Sequence, residues 1–186
     1  MYTVLVFITV IAFGVLIYYA IRASQKQKAL KASGDMVDRP KGWHRQTTTF
    51  TTTVDSAAKI VEVARARLAQ LGFLDGSLAI DARSNGSYEF TATTASTHIT
   101  DMVTKKREMI WDATLVPVQA APDGRFRYAF SSQNVQLLNG VPQVAGLNVL
   151  LTQIEKAVLS LDPQALVQRT DNEVTTSKNT RWTVQG

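Results

Sequence analysis

From Tyr2 to Ile21 no residue carries a charge, and Thr3 and Thr9 are the only aliphatic hydroxyls. A helix of that length, rising ~1.5 Å per residue, reaches ~30 Å, the thickness of a bilayer's hydrocarbon core. A helix buried in a water-soluble fold shows polar positions on its outer face, and this run shows none. Tyr18 and Tyr19 fall where interfacial aromatics belong, with Arg22 just beyond. A cleaved export signal fits poorly, because nothing basic precedes the run and residues 18–24 (YYAIRAS) make a weak exit site. The expectation is an uncleaved, single-pass transmembrane helix. Gly14 stands alone in it, so no G-x-x-x-G pair supports close helix dimerisation.

The formal charge of +5 and a pI near 9.6 would ordinarily raise nucleic acid as a partner. Position removes that reading. Seven basic residues lie between Arg22 and Arg45, opposed only by Asp35 and Asp38, whereas 13 basic and 13 acidic residues balance from Gln46 onward. A phosphate-binding groove needs its charge on the folded domain; here the excess sits beside the apolar run. Arg22, Lys26, Lys28 and Lys31 are therefore expected against anionic lipid headgroups, each worth about 1 kcal/mol near the surface. The positive-inside rule places this flank, and the domain after it, in the cytoplasm, with an extracytoplasmic domain as the alternative.

Beyond Ile21, good helix formers extend the helix as a basic stalk to residue 33, and a linker follows over 34–44, where Pro40 and Gly42 break regular structure. The folded domain is expected over 45–167. Residues 45–54 are β-branched almost throughout and read as a strand. Asp55 or Ser56 then caps a helix whose apolar stripe is Ala57, Ile60, Val61, Ala64, Leu68 and Leu71. Over 77–94 a hairpin turns at Asn85-Gly86. A two-residue turn would oppose Asp81 to Phe90; a three-residue loop, Ser84 to Gly86, opposes Ala82 to Tyr88, Ile80 to Phe90 and Leu78 to Ala92. Only the second puts every apolar side chain on one face, so it is the expected register.

Residues 95–107 suit either a strand or a loop. Residues 108–118 resume strand character, with Met109, Trp111, Ala113 and Leu115 inward and Pro117 marking an edge or a strand end. Residues 121–124 form a turn, 125–131 alternate as a strand, and Asn139-Gly140 marks another turn. A second amphipathic helix is predicted from about Pro142 to Leu161, a short extra turn through Val167, and a loose polar tail over 168–186.

The fold class is thus α+β: an N-terminal transmembrane helix, then a curved antiparallel sheet of four to five strands packed on two helices. The order strand, helix, strands, helix resembles helix-grip folds. Tyr88, Phe90, Trp111, Phe126, Tyr128 and Phe130 are expected to point at the second helix, as its packed core or as an apolar pocket.

Catalytic chemistry finds no footing. The absence of cysteine excludes thiol catalysis, disulfides and zinc–thiolate sites. No phosphate-binding loop, nucleophile elbow or H-E-x-x-H occurs. His98 and Asp101 offer two metal ligands without a third, and His44 reads as an exposed linker residue. Residues 105–108 (KKRE) read as a solvated charge run. No cofactor, metal or catalytic residue is expected. The expected role is a non-enzymatic domain holding a protein partner at the cytoplasmic membrane face; the alternative is a tethered carrier of a lipid or other apolar ligand.

Overall fold

The computed structural model describes residues 2–71, 78–97, 105–171, 174–176 and 182–184. The chain divides into two compact units, Met1–Asp38 and Arg39–Gly186. The first is a single helix, α1 (Tyr2–Ala32), 31 residues long. Its C-terminus closes at a glycine. Gly34 takes φ 71°, its N–H donates to the Lys31 carbonyl, and the Asp35 N–H donates to the Leu30 carbonyl. This is a Schellman cap, which needs a left-handed residue that glycine occupies without a Cβ penalty. Lys31 pairs with Asp38 below it. Among the described residues no helix is long and apolar enough to cross a membrane. The side chains of residues 2–9 and several later ones lie outside the described set.

The second unit is α+β. In chain order it holds a 3-10 turn (Trp43–Arg45), β1 (Gln46–Thr52), α2 (Ala57–Gln70), β2 (Leu78–Ala82), β3 (Tyr88–Thr97), β4 (Lys105–Val118), β5 (Phe126–Val135), β6 (Leu137–Leu138), β7 (Val141–Pro142), α3 (Ala145–Leu161), β8 (Leu166–Asp171), β9 (Val174–Thr176) and β10 (Trp182–Val184). Six strands form one antiparallel sheet in the order β2-β3-β4-β5-β1-β8, with β6-β7 and β9-β10 as separate two-stranded antiparallel sheets.

The β2–β3 register is Leu78 to Ala92, Ile80 to Phe90 and Ala82 to Tyr88, as the one-face argument requires. The loop keeps Gly86 at φ 78°, and its N–H returns to the Arg83 carbonyl. Ser56 caps α2 by accepting from the Ala58 N–H at 3.2 Å.

Four expectations need correction. The sheet has six strands rather than four or five, because β1 sits inside it between β5 and β8. Residues 163–167 do not form a helical turn; one Ala165-to-Asp162 hydrogen bond turns the chain, and β8 then runs antiparallel along β1 as far as Asp171, into the stretch expected to be loose. The second helix starts at Ala145, not Pro142, since Pro142 closes the β6–β7 hairpin. Met109 is 44% exposed, because the β3–β4 pairing shifts beside it, between Ala92 and Thr93, and breaks the alternation.

The core lies between one sheet face and the two helices. Phe50, Phe90, Trp111, Leu115 and Phe130 fill it from the sheet, against Ile60 and Leu68 of α2 and Leu147, Leu150 and Ile154 of α3. Every residue from Leu147 to Ile154 is buried, polar ones included. A helix enclosed all round must satisfy those polar groups inside the protein. That need leads to the site.

Candidate functional site

Asn148, Thr152 and Glu155 follow one another at i, i+4 and i+7 on α3, a polar row along a mostly apolar helix. Arg39, the first residue of the folded unit, lies along that row. Its Nε donates to Asn148 Oδ1 at 3.0 Å and its Nη2 to Thr152 Oγ1 at 3.2 Å. Both ends of the fork reach Glu155, Nη1 to Oε1 at 3.1 Å and Nη2 to Oε2 at 2.8 Å. From β8, Arg169 Nη2 donates to the same Oε1 at 2.7 Å. The Arg39 guanidinium carbon also stands 5.1 Å from the centre of the Trp43 ring. The Arg39 side chain is only 4% exposed. A planar, permanently charged fork meets a carboxylate two-pronged while its remaining donor finds other oxygens, a geometry lysine cannot copy.

The clamp pins residues 39–45 to the domain and so forms one wall of a groove of about 660 Å³. This wall carries Arg39, Lys41, His44 and Arg45; the opposite wall carries Val135, Leu137, Pro142 and Val144. At its base Ser132 Oγ donates to the His44 carbonyl at 2.5 Å. His44 is half-buried with its ring edge-on to Trp43, not exposed as the linker reading expected. Burial, followed by the neighbouring Arg45 charge, pushes its imidazole below the ordinary 6.5, favouring the neutral ring.

A bulge lies in the sheet just ahead of the apolar wall. Trp111 opposes Val135 while Ala113 opposes Ser132, so β5 carries one surplus residue at that point. Asp112 holds the bulge, its two oxygens accepting from the Asn134 N–H at 2.7 Å and from Asn134 Nδ2 at 2.8 Å. The chain then folds into β6–β7, turning through Asn139 at φ 51° and Gly140 at φ 78°. Two successive positive φ angles define the tight hairpin turn for which Asn-Gly is the preferred pair.

A second buried polar contact closes the far end of α3. Asp162, 6% exposed, accepts from the Thr53 N–H at 2.8 Å, Thr52 Oγ1 at 2.9 Å and the Gln164 N–H at 3.0 Å. The Thr53 amide first, then the Thr52 hydroxyl, pull its carboxyl down to about 2. Nearby, Tyr128 donates its hydroxyl to the Val54 carbonyl at 2.9 Å, and burial followed by the Asp55 charge pushes the phenol up to about 12.

The six aromatics separate into two groups. Phe90, Trp111, Tyr128 and Phe130 are 1–3% exposed and belong to the core. Phe126 is 41% exposed and Tyr88 half-buried, so neither is enclosed in the core, although strand alternation puts Phe126 on the face of Tyr128 and Tyr88 on the face of Phe90. The difference has a simple cause: both stand at the first residue of their strands, where the covering layer ends. Arg22, Lys26, Lys28 and Lys31 are exposed on α1. His98 and Asp101 lie outside the described residues, and among the described residues no group of three or more potential ligands could hold a metal. No family model, curated protein or solved structure matches the chain.

The clamp escaped the sequence reading because Arg39 sits in a segment that looks like a linker. Two signals were present: a lone tryptophan at 43 in that segment, and the polar row on α3, which demanded a partner.

Proposed function

We propose that this protein is a single-pass, membrane-anchored, non-enzymatic interaction domain that holds a protein partner at the cytoplasmic face of a bilayer. The membrane part rests on the uncharged run Tyr2–Ile21 and on the concentration of all net charge between Arg22 and Arg45. The observation that carries the interaction reading is the Arg39 clamp at the first residue of the folded unit. A domain on a loose leash needs no such fastening. One whose point of attachment is locked by four hydrogen bonds holds its surfaces in a set relation to that point, which suits docking a partner in a set orientation. Tethering then raises the partner's effective concentration at the membrane without any chemistry at a site. The element order keeps its likeness to helix-grip folds, but the buried aromatics favour packing over a ligand cavity.

The test has two parts. Carbonate extraction of membranes and protease digestion of intact cells against inside-out vesicles should show a retained chain whose domain is cut only in the vesicles. Photo-crosslinking in membranes from the edge strand β2, at Asp81, should capture a protein. A chain released by carbonate refutes the anchor, cleavage in intact cells refutes the orientation, and a domain that captures no protein refutes the partner.

A further inference from the structure

The chain holds two Asn-Gly pairs, at 85–86 and 139–140, and all four residues are exposed. Asparagine is thermally labile, most of all ahead of glycine, which has no side chain to shield its backbone nitrogen. That nitrogen attacks the asparagine Cγ, a five-membered imide closes and ammonia departs. Water then opens the imide at either carbonyl, giving aspartate or isoaspartate. Whether a given pair reacts depends on how firmly the fold holds both groups.

The fold holds the two pairs differently. Asn85 Oδ1 accepts from the Ser87 N–H at 3.1 Å and from Ser87 Oγ at 2.6 Å, and the Gly86 N–H donates to the Arg83 carbonyl at 3.0 Å. The β2–β3 pairing from Leu78 to Ala82 sets that turn into the six-stranded sheet. At the second pair, neither the Asn139 side chain nor the Gly140 N–H makes a hydrogen bond among the described residues. A Cβ added to Gly140 would meet nothing within 4 Å, so an imide has room there. The turn is closed only by the pairs Leu138–Val141 and Leu137–Pro142, with the Gln143 N–H donating to the Gln136 carbonyl at 3.0 Å behind them. A two-stranded hairpin of that size is marginal and opens locally at little cost. Opening matters because the Gly140 nitrogen must swing toward Cγ about the Cα–C bond of Asn139, a rotation that the closed turn resists.

We propose that Asn139 is a site of spontaneous deamidation, and that its isoaspartyl product dismantles the β6–β7 wall of the groove. The bond from the Gly140 nitrogen to Cγ forms as the bond from Cγ to Nδ2 breaks, and the proton lost by the nitrogen leaves with the ammonia. Water supplies the new carboxyl oxygen and returns a proton to the nitrogen, with no change of oxidation state. The aspartate product keeps the hairpin, since Asp-Gly suits the same turn. It adds a carboxylate, the first between Tyr128 and Ile154, to the groove side that faces Lys41. The isoaspartate product routes the backbone through the former side chain and lengthens it by a methylene, so the two-residue turn no longer closes. Leu137 and Pro142, which line the groove, then lose their pairing. The age of a molecule thereby sets the state of its groove, wherever the domain sits relative to a bilayer.

The test ages the full-length chain in detergent for weeks at neutral and at mildly alkaline pH, then digests it with trypsin. Asn85 falls in the fragment Ser84–Lys105 and Asn139 in Tyr128–Lys156, so mass spectrometry with fragmentation reads the two sites side by side. The expected result is about tenfold more conversion at Asn139 than at Asn85, rising with pH. Asn139→Gln, which would have to close a six-membered ring, should keep its amide. Equal conversion at the two sites, or none at Asn139, overturns the site, and this comparison needs no variant to fold. Hydrogen exchange reads the second half of the proposal. The Gln143 amide should lose protection in the isoaspartyl fraction of the aged chain and keep it in aged Asn139→Gln. An isoaspartyl chain in which Gln143 stays protected overturns the loss of the wall. Fresh Asn139→Asp should keep that protection; its loss there would trace the effect to charge and overturn the backbone account.

Discussion

Arg39 and Glu155, 116 residues apart in sequence, meet in a two-pronged ion pair with side chains 4% and 14% exposed. Removing one member of such a pair strands a charge in a site built for two. Arg39→Ala is expected to destabilise the folded unit by about 3 kcal/mol in urea unfolding. Arg39→Lys should recover only part of this, because an ammonium cannot bridge Glu155 while also reaching Asn148 and Thr152. Replacing Arg39 and Glu155 together by Met and Leu should cost less than Arg39→Ala alone.

The two groups of aromatics separate in the same assay. Trp111→Ala removes a side chain 2% exposed and should cost about 3–5 kcal/mol through lost burial and the cavity left behind. Phe126→Ala, at 41% exposure, should cost less than about 1 kcal/mol. Equal losses would mean that Phe126 belongs to the core after all.

Gly86 tests the turn. At φ 78° an L side chain is strained, yet the nearest atom to an added Cβ is Pro117 Cγ at 3.9 Å, an ordinary contact. Gly86→Ala should therefore cost about 1 kcal/mol from backbone conformation alone. Gly86→Asn should cost less, since asparagine tolerates the left-handed region.

Acid should weaken the domain in two steps. The folded pKa of His44 lies below its ordinary 6.5, so the unfolded chain binds the proton more readily, and the stability held above pH 6.5 falls as pH drops through the folded value. Asp162 acts lower: its folded carboxyl titrates near 2 against an ordinary 3.8, so its contribution is full above 3.8 and lost as pH falls toward 2. Thermal melts from pH 7 to pH 2 should show both declines. Asp162→Asn should flatten the lower one and His44→Gln the upper.

The stalk charges test topology. Changing Arg22, Lys26, Lys28 and Lys31 to Gln while adding two lysines ahead of Tyr2 should make the domain susceptible to protease in intact cells. Unchanged protection would show that these charges do not set the orientation.

Much of this architecture was readable from the residues because its causes are local. The Ser56 cap, the α2 stripe and the three-residue loop at Asn85-Gly86 each follow from neighbours within a few positions. The hairpin register follows because a one-residue slip would turn Ile80 and Phe90 to opposite faces. The same logic failed at Met109, where a shift in pairing breaks the alternation, and at Phe126 and Tyr88, where a correct period said nothing of where the covering layer ends.

What the sequence determined by itself was the division of the chain: an uncharged run, a basic flank that holds the whole net charge, and a neutral α+β domain with no catalytic motif. Those are sums and periods along one dimension, and hydrophobicity and charge count the same wherever the chain later travels. Only the tertiary structure decided that Arg39 belongs to the domain, that β1 lies between β5 and β8, and that residues 39–45 face an apolar hairpin across a groove. Each joins residues far apart in the chain. A buried guanidinium is tolerable only where Asn148, Thr152 and Glu155 converge on it, and that convergence exists only once α3 is packed.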